Sequence, residues 1–501
     1  MKSRNRGIAM AYASTGLKMV LSLFLSSFLL RRLGDTDYGI YQTIASFANY
    51  LVLLEFGTGT VMTRNISLCR GKQAPQQTIQ RHISTLWIIT NILAVLIALV
   101  SVGFYFSIPS IYAKSLSQPQ IQYAGRIFVF VILHLIFSFY TQTLSGVALG
   151  YEKYAFSSSL NLCSAILRFL LLIPAVLVGK QALWIAVVDA GLAFSLFLFS
   201  LLYCKRNFRF SAKIHCFDIT VFRQALPLCF AIFLQTVVNQ ANNNVDKFLI
   251  GIKLTPEIVS LYSVAMFVFS TFSSLTTIPI SMYAPKIIQT LGKTNDVRSL
   301  EAQIVPAMRL TSCVGGCILF GFIAVGKPFV QFLYGDKYLQ AYVLALIIMV
   351  PMYLNMLPGV LVNVLDALNK RIIRSWVLLG TTAANVLLTI WWLDRWGVTG
   401  AAVATCLCTM LGQVLIMGIY YAKALNLPII SLYFRAWRGI LPGQILGAAA
   451  ALLLCRFLVN PLVSLLLGGS IFVLIFGLCF LAGSREARSK AASLLRRKDN
   501  S

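Results

Sequence analysis

The chain has 501 residues, of which 58% are apolar and only 11% charged, and its mean hydropathy is +0.80. A soluble domain is nearer a quarter charged, so a soluble enzyme is excluded. With 15 acids, 3 histidines and 11 cysteines of which none forms a CxxC pair, little is on offer for side-chain catalysis or a metal cluster.

Apolar stretches of about 20 residues, the length needed to cross about 30 Å of hydrocarbon, recur along the whole chain. In order they fall at 8–30, 39–62, 83–106, 121–146, 156–178, 183–203, 222–250, 258–284, 304–326, 340–365, 372–393, 398–421, 436–456 and 461–482. The expected fold class is all-α integral membrane, with about 14 transmembrane helices. The first stretch runs into Arg31 and Arg32 without a small-residue cleavage site, so it reads as a span and not as a cleaved signal.

The net charge of +27 follows the positive-inside pattern. Termini and even-numbered connections carry about 28 of the 42 Lys and Arg. The densest groups are Lys205, Arg206, Arg209, Lys213 and Arg223 between spans six and seven, and Arg485 to Lys498 at the C-terminus. Both termini are therefore expected in the cytoplasm, with the basic segments attracted to anionic lipid. Nucleic acid is not an expected partner, because stacking aromatics do not interleave with those charges. The cysteines avoid the outside loops, so disulfides are not expected.

Two sets of six spans look duplicated. Residues 1–203 form an N-lobe, 204–221 a basic connector, 222–421 a C-lobe, 422–482 a final helix pair and 483–501 a basic tail. LRRLGDTDYGIY (30–41) and KFLIGIKLTPEIVSLY (247–262) each place a Gly-containing exit and a polar turn before a Tyr that opens the next helix. Those helices end at Arg64 and Lys286, and each then reaches a Gly-Lys pair, Gly71 with Lys72 and Gly292 with Lys293. Ala148, Leu149 and Gly150 match Ala367, Leu368 and Asn369 after the fourth span of each set. Two pseudo-symmetric lobes rocking about a shared cavity is the geometry of alternating access.

The segments LRRLGDTDYGIY, LEFGTGTVMTRNIS, ALGYEKY and NNNVDKFLIG resemble the polysaccharide-synthesis transporters of the multidrug/oligosaccharidyl-lipid/polysaccharide exporter superfamily, which includes O-antigen and capsule repeat-unit flippases. The likeness covers about residues 7–482. It implies fourteen helices in two lobes around a V-shaped central cavity in the bacterial cytoplasmic membrane. It implies translocation of undecaprenyl-pyrophosphate-linked oligosaccharide from the inner to the outer leaflet by a non-enzymatic, monomeric carrier without a cofactor. It also implies contact with polysaccharide polymerase machinery. A lipid II flippase and an ion-coupled drug exporter of the same superfamily stay open as alternatives, whereas a glycosyltransferase would need a larger loop or a buried acid-base pair.

Charges inside spans carry the functional expectations, because each costs about 2.5–3.5 kcal/mol at mid-bilayer. Lys18 and Arg168 lie deepest. They read either as a cationic wall for a pyrophosphate or as partners of an acid within the N-lobe. Arg64 and Arg126 are arrival and departure contacts for the pyrophosphate, unless Arg64 is only positive-inside bias and Arg126, like Arg309, snorkels to an interface. The amide run Asn239, Gln240, Asn242, Asn243 and Asn244 cannot face lipid. It contacts sugar hydroxyls or serves as interhelical glue.

Glu55, Asp189, Asp246 and His134 are the candidates for gating or ion coupling, and His134 could equally be a packing residue. Asp246 has Arg31, Arg32 or the adjacent Lys247 as possible partners. Protons, sodium and the membrane potential, about 2.3 kcal/mol per charge per 100 mV, are all admissible driving forces. Pro174, Pro227, Pro279, Pro351 and Pro358 mark static kinks or hinges.

Overall fold

The computed structural model describes residues 2–179, 181–208, 217–294, 297–368, 370 and 372–483. Among them there are helices and no strand. Residues 209–216 of the expected connector, the tail from 484, and Asn369 lie outside the described residues, as do the side chains of Asn239, Asn242, Asn243, Lys286 and Lys293.

The chain packs as two compact units, Met1–Ser260 and Leu261–Ser501. The first holds α1 (Lys2–Leu33), α2 (Asp35–Ala48), a 3-10 segment (Asn49–Glu55), α3 (Thr58–Gly71), α4 (Gln76–Tyr112), α5 (Gln118–Gly150), α6 (Tyr154–Gly179), α7 (Leu183–Phe208) and α8 (Ile219–Lys253). The division falls within the first turns of α9, so α8 belongs to the first unit. The physical reason is aromatic packing of α8 on earlier elements. Phe248 stacks on Phe47 at 5.6 Å and Phe233 on Phe56 at 4.8 Å.

Helix starts follow local chemistry. Ser117 and Gln120 form a reciprocal capping box at the start of α5. Asp218 caps α8 by accepting the Thr220 amide at 2.8 Å, and the hydrogen bonds from Thr220 hold its carboxyl below the usual range.

In hydrocarbon, helices gain little from excluding water from apolar side chains, so close backbone approach matters more. α3 and α5 show this. Thr63 Oγ1 donates to the carbonyls of both Gly59 and Gly146 at 3.0 Å, and Thr58 shares a hydrogen bond of 3.1 Å with Thr143. A Cβ on Gly146 would stand 2.3 Å from the Gly59 carbonyl oxygen. Around this contact Val61, Met62, Ile66, Leu86, Leu144 and Val147 form the buried core of the first unit.

The second unit holds most of α9 (Pro256–Thr294), then α10 (Glu301–Tyr334), α11 (Leu339–Met356), a 3-10 turn (Leu357–Gly359), α12 (Val360–Ala367), α13 (Ile372–Trp396), α14 (Val398–Cys408), a π segment (Thr409–Ile416), α15 (Met417–Leu425), α16 (Ile429–Trp437), α17 (Leu441–Phe457) and α18 (Pro461–Gly483). Its interior carries a hydrogen-bonded polar layer. Tyr353 OH meets Ser312 Oγ at 2.9 Å and accepts from Trp437 Nε1 at 3.2 Å, while the fully buried Gln444 donates to the Ser312 carbonyl at 3.1 Å.

Among the described residues eleven segments are long and apolar enough to cross a membrane, and the pair α16–α17, bent by 52°, makes up to twelve. The first and seventh of the fourteen expected spans coincide with α1 and α8, which are less apolar because Lys18 and the amide run interrupt them. Side chains such as Phe106, Val178, Phe457 and Val459 are exposed, as a lipid-facing surface requires. This is a multi-pass membrane protein.

Besides the thirteenth, which bends between α16 and α17, three expected spans are not continuous α-helices. The second breaks at Glu55, where Phe56 and Gly57 are both left-handed, at φ 49° and 65°. The tenth breaks at the 3-10 turn that holds Pro358, and the twelfth carries the π segment, where Gly412 lets Thr381 of α13 approach.

Candidate functional site

The first unit encloses a cavity of about 1040 Å³, at the upper end of small-molecule pockets. Its wall draws on α1, α2, the 3-10 segment, α3, α5, α6, α7 and α8. The broken second span is what opens it. Asn49, Val52, Glu55 and Gly57 all line the cavity, and irregular backbone at membrane depth is tolerated where it borders such a space. A left-handed Phe56 costs about 1–2 kcal/mol, and its stacking on Phe233 of α8 holds it there.

Five of the twelve expected site residues reach this wall: Lys18, Glu55, His134, Arg168 and Asp189. Arg168 does not stand as a free cation. Its Nε donates to Asp189 Oδ1 at 2.7 Å and its Nη2 to Oδ2 at 2.8 Å, a two-pronged ion pair. The Asp189 carboxylate also accepts from Tyr41 OH at 3.3 Å. His134 Nδ1 lies 3.0 Å from the Asp189 carbonyl oxygen. A carbonyl can only accept, so Nδ1 carries the proton.

Lys18 is exposed to the cavity, and neither it nor Glu55 has an ion pair or hydrogen bond among the described residues. Among the described residues the wall therefore holds two cations and two carboxylates, and Lys18 is the only cation of these without a counter-charge in contact.

Four of the remaining expected residues can be placed. Arg64 on α3 and Arg126 on α5 are exposed and lie off the cavity wall. Gln240 donates to the Asn49 carbonyl at 3.0 Å and accepts from Asn244. It thus caps the 3-10 segment instead of facing the cavity. Asp246 is 5% exposed, on the stretch of α8 where Phe248 packs against Phe47 and Tyr50. Asn239, Asn242 and Asn243 have no described side chains.

Sequence reading missed Tyr41 and the neutral polar lining of α5 and α6, which includes Ser138, Gln142, Asn161 and Ser164. The signal was present. Ser157, Asn161, Ser164 and Arg168 recur at helical spacing within an otherwise apolar span.

This architecture matches known proteins. The lipid II flippase MurJ in its inward closed conformation superposes with a TM-score of 0.72 over 95% of this chain and 99% of that one, at 14% identity. An inward-facing multidrug resistance MATE family transporter of the MOP superfamily gives 0.63 over 84% and 98%, at 13% identity. A MATE transporter from Vibrio cholerae gives 0.55 over 87% and 100%, at 14% identity. At such identities the likeness concerns the fold. No curated protein sequence matches the chain significantly. The family described as polysaccharide biosynthesis protein matches residues 28–343, well over half of the chain, and the protein belongs to that family.

Proposed function

We propose that the protein carries undecaprenyl-pyrophosphate-linked oligosaccharide repeat units from the inner to the outer leaflet of a bacterial cytoplasmic membrane, by alternating access, for capsule, exopolysaccharide or O-antigen assembly. The observation that carries the reading is an oligosaccharide-sized cavity with many polar lining groups, in whose described wall Lys18 is the one uncompensated cation. Family membership and a fold shared with a lipid II flippase support it. The lipid tail stays in the bilayer, so only the head group needs a polar path.

Each residue then has a task. Lys18 meets the pyrophosphate as a flexible point charge. Arg168 joins it only insofar as the Asp189 pair opens, and exposed Arg64 and Arg126 meet the anion on its way in and out. Glu55, without a partner in contact, takes up the coupling ion. His134 and Asp189 hold Arg168 in place, while Asp246, Gln240 and Asn244 stabilise the packing around the broken span. Both termini face the cytoplasm, as the Lys and Arg distribution requires.

Native mass spectrometry of the gently purified protein tests this. A co-purifying polyprenyl-pyrophosphate sugar, lost in Lys18→Ala, is the expected result. A bound organic cation, or no lipid at all, would overturn the reading.

A further inference from the structure

We infer that the facing sides of α5 and α6 form a carbohydrate-binding surface, and that sugar recognition resides there. The inference rests on the reading that the head group enters this cavity. Ser138, Gln142 and Ser145 fall at i, i+4 and i+7 of α5, and Ser157, Asn161 and Ser164 at the same offsets of α6. All six line the cavity. Each set therefore occupies one helix face.

α6 shows the division. Ser157, Asn161, Ser164 and Arg168 turn to the cavity, while Ile166, Leu167, Leu170, Leu171 and Val178 are exposed on its other sides. A helix needing only lipid and packing contacts has no use for amides there, since each would have to be satisfied within hydrocarbon.

The state of these groups points to a ligand. Gln142 and Asn161 are exposed to the cavity and make no hydrogen bond to any described residue, and Ser138 and Ser164 likewise have no partner. Ser145 and Ser157 bond to each other at 2.8 Å and pin the two helices together at one end of the surface. At the far end the Arg168–Asp189 pair closes it.

Amides offer donor and acceptor at once, and hydroxyls do the same, which suits sugar hydroxyl and acetamido groups. The two cations and two carboxylates of the wall balance. A dianionic pyrophosphate finds one uncompensated partner here, whereas an uncharged glycan finds a continuous set of hydrogen-bonding groups. The ligand class is thus a neutral or N-acetylated oligosaccharide.

The test measures binding to the full-length protein in detergent with two probes. One is undecaprenyl pyrophosphate, and the other is the same lipid bearing an oligosaccharide of neutral and N-acetylated hexoses. Wild type is expected to bind the glycosylated lipid at least tenfold more tightly. Gln142→Ala and Asn161→Ala should each weaken that lipid about fivefold and leave the bare lipid unchanged. Equal weakening of both lipids, or no preference by wild type and no effect of either variant, overturns the carbohydrate surface while leaving the carrier reading intact. Failure of wild type to bind either lipid overturns the carrier reading itself. Both side chains project into open space, and an unaltered unfolding temperature in the two variants separates lost contacts from lost fold.

Discussion

Arg168 and Asp189 meet through two parallel hydrogen bonds of 2.7 and 2.8 Å, linking α6 to α7 in the wall of the cavity. Asp189 is 7% exposed, whereas Arg168 opens partly to the cavity. Removing one member of a buried pair strands the other, at about 3–5 kcal/mol. Because the arginine side is partly open, Arg168→Ala is expected near the lower end, about 3 kcal/mol. Arg168→Gln combined with Asp189→Asn should regain most of that loss, since no bare charge remains. Thermal unfolding of the two variants in detergent checks this. A single variant as stable as wild type would show that the pair is not structural.

Lys18 makes the opposite prediction. With no contact partner to strand, Lys18→Ala should leave the unfolding temperature within about 1 °C of wild type, because exposed substitutions usually stay within about 0.5 kcal/mol. Polymer export should nonetheless fail. Complementation of a deletion strain, with membrane levels of the protein measured alongside, separates the two effects.

Gln240 separates glue from ligand contact on α8. Its amide donates to the Asn49 carbonyl, so Gln240→Ala leaves a carbonyl at the break in the second span without that donor. The expected cost is about 1–2 kcal/mol in stability, with the preference for a glycosylated lipid unchanged. A variant of normal stability that loses only this preference would return sugar binding to the α8 run.

The fold was legible wherever a residue's meaning is local. The expected apolar stretches fall on helices, of which eleven or twelve are long and apolar enough to cross a membrane, because hydrocarbon thickness imposes length and composition directly. The break after Glu55 was not legible. Two successive left-handed residues and a 3-10 segment depend on Gln240 and Phe233 nearly two hundred positions away, although the FGTG sequence carries the glycines that permit it. The depth of Lys18 and Arg168 in their spans marked them as functional candidates. Depth alone does not give a charge its partner, and Asp189, expected near a helix end, turned out to neutralise Arg168.

Glycines at the α3–α5 contact make a sharp contrast with one that touches nothing. Gly146→Ala drives a methyl to within 2.3 Å of a backbone oxygen and should cost about 1–3 kcal/mol through overpacking. Gly103→Ala on α4 meets nothing within 4 Å, and its higher helix propensity should stabilise by up to about 1 kcal/mol. Unfolding temperatures moving in opposite directions would establish the close approach. Equal shifts would refute it.

Glu55 bears on coupling. If it takes up a proton during transport, Glu55→Gln should keep lipid binding yet make leaflet transfer insensitive to a pH gradient across the vesicle. Gradient dependence equal to wild type would move the coupling elsewhere.

The central claim is that the protein moves a glycosylated lipid pyrophosphate between leaflets through a cavity in which Lys18 supplies the uncompensated charge. Proteoliposomes loaded with undecaprenyl-pyrophosphate-linked oligosaccharide, probed from outside with a membrane-impermeant glycosidase, test it most directly. Wild-type protein is predicted to bring nearly all of the oligosaccharide within reach of the enzyme, while Lys18→Ala leaves only the fraction that protein-free vesicles expose. Accessibility with wild-type protein no higher than in protein-free vesicles would contradict the account.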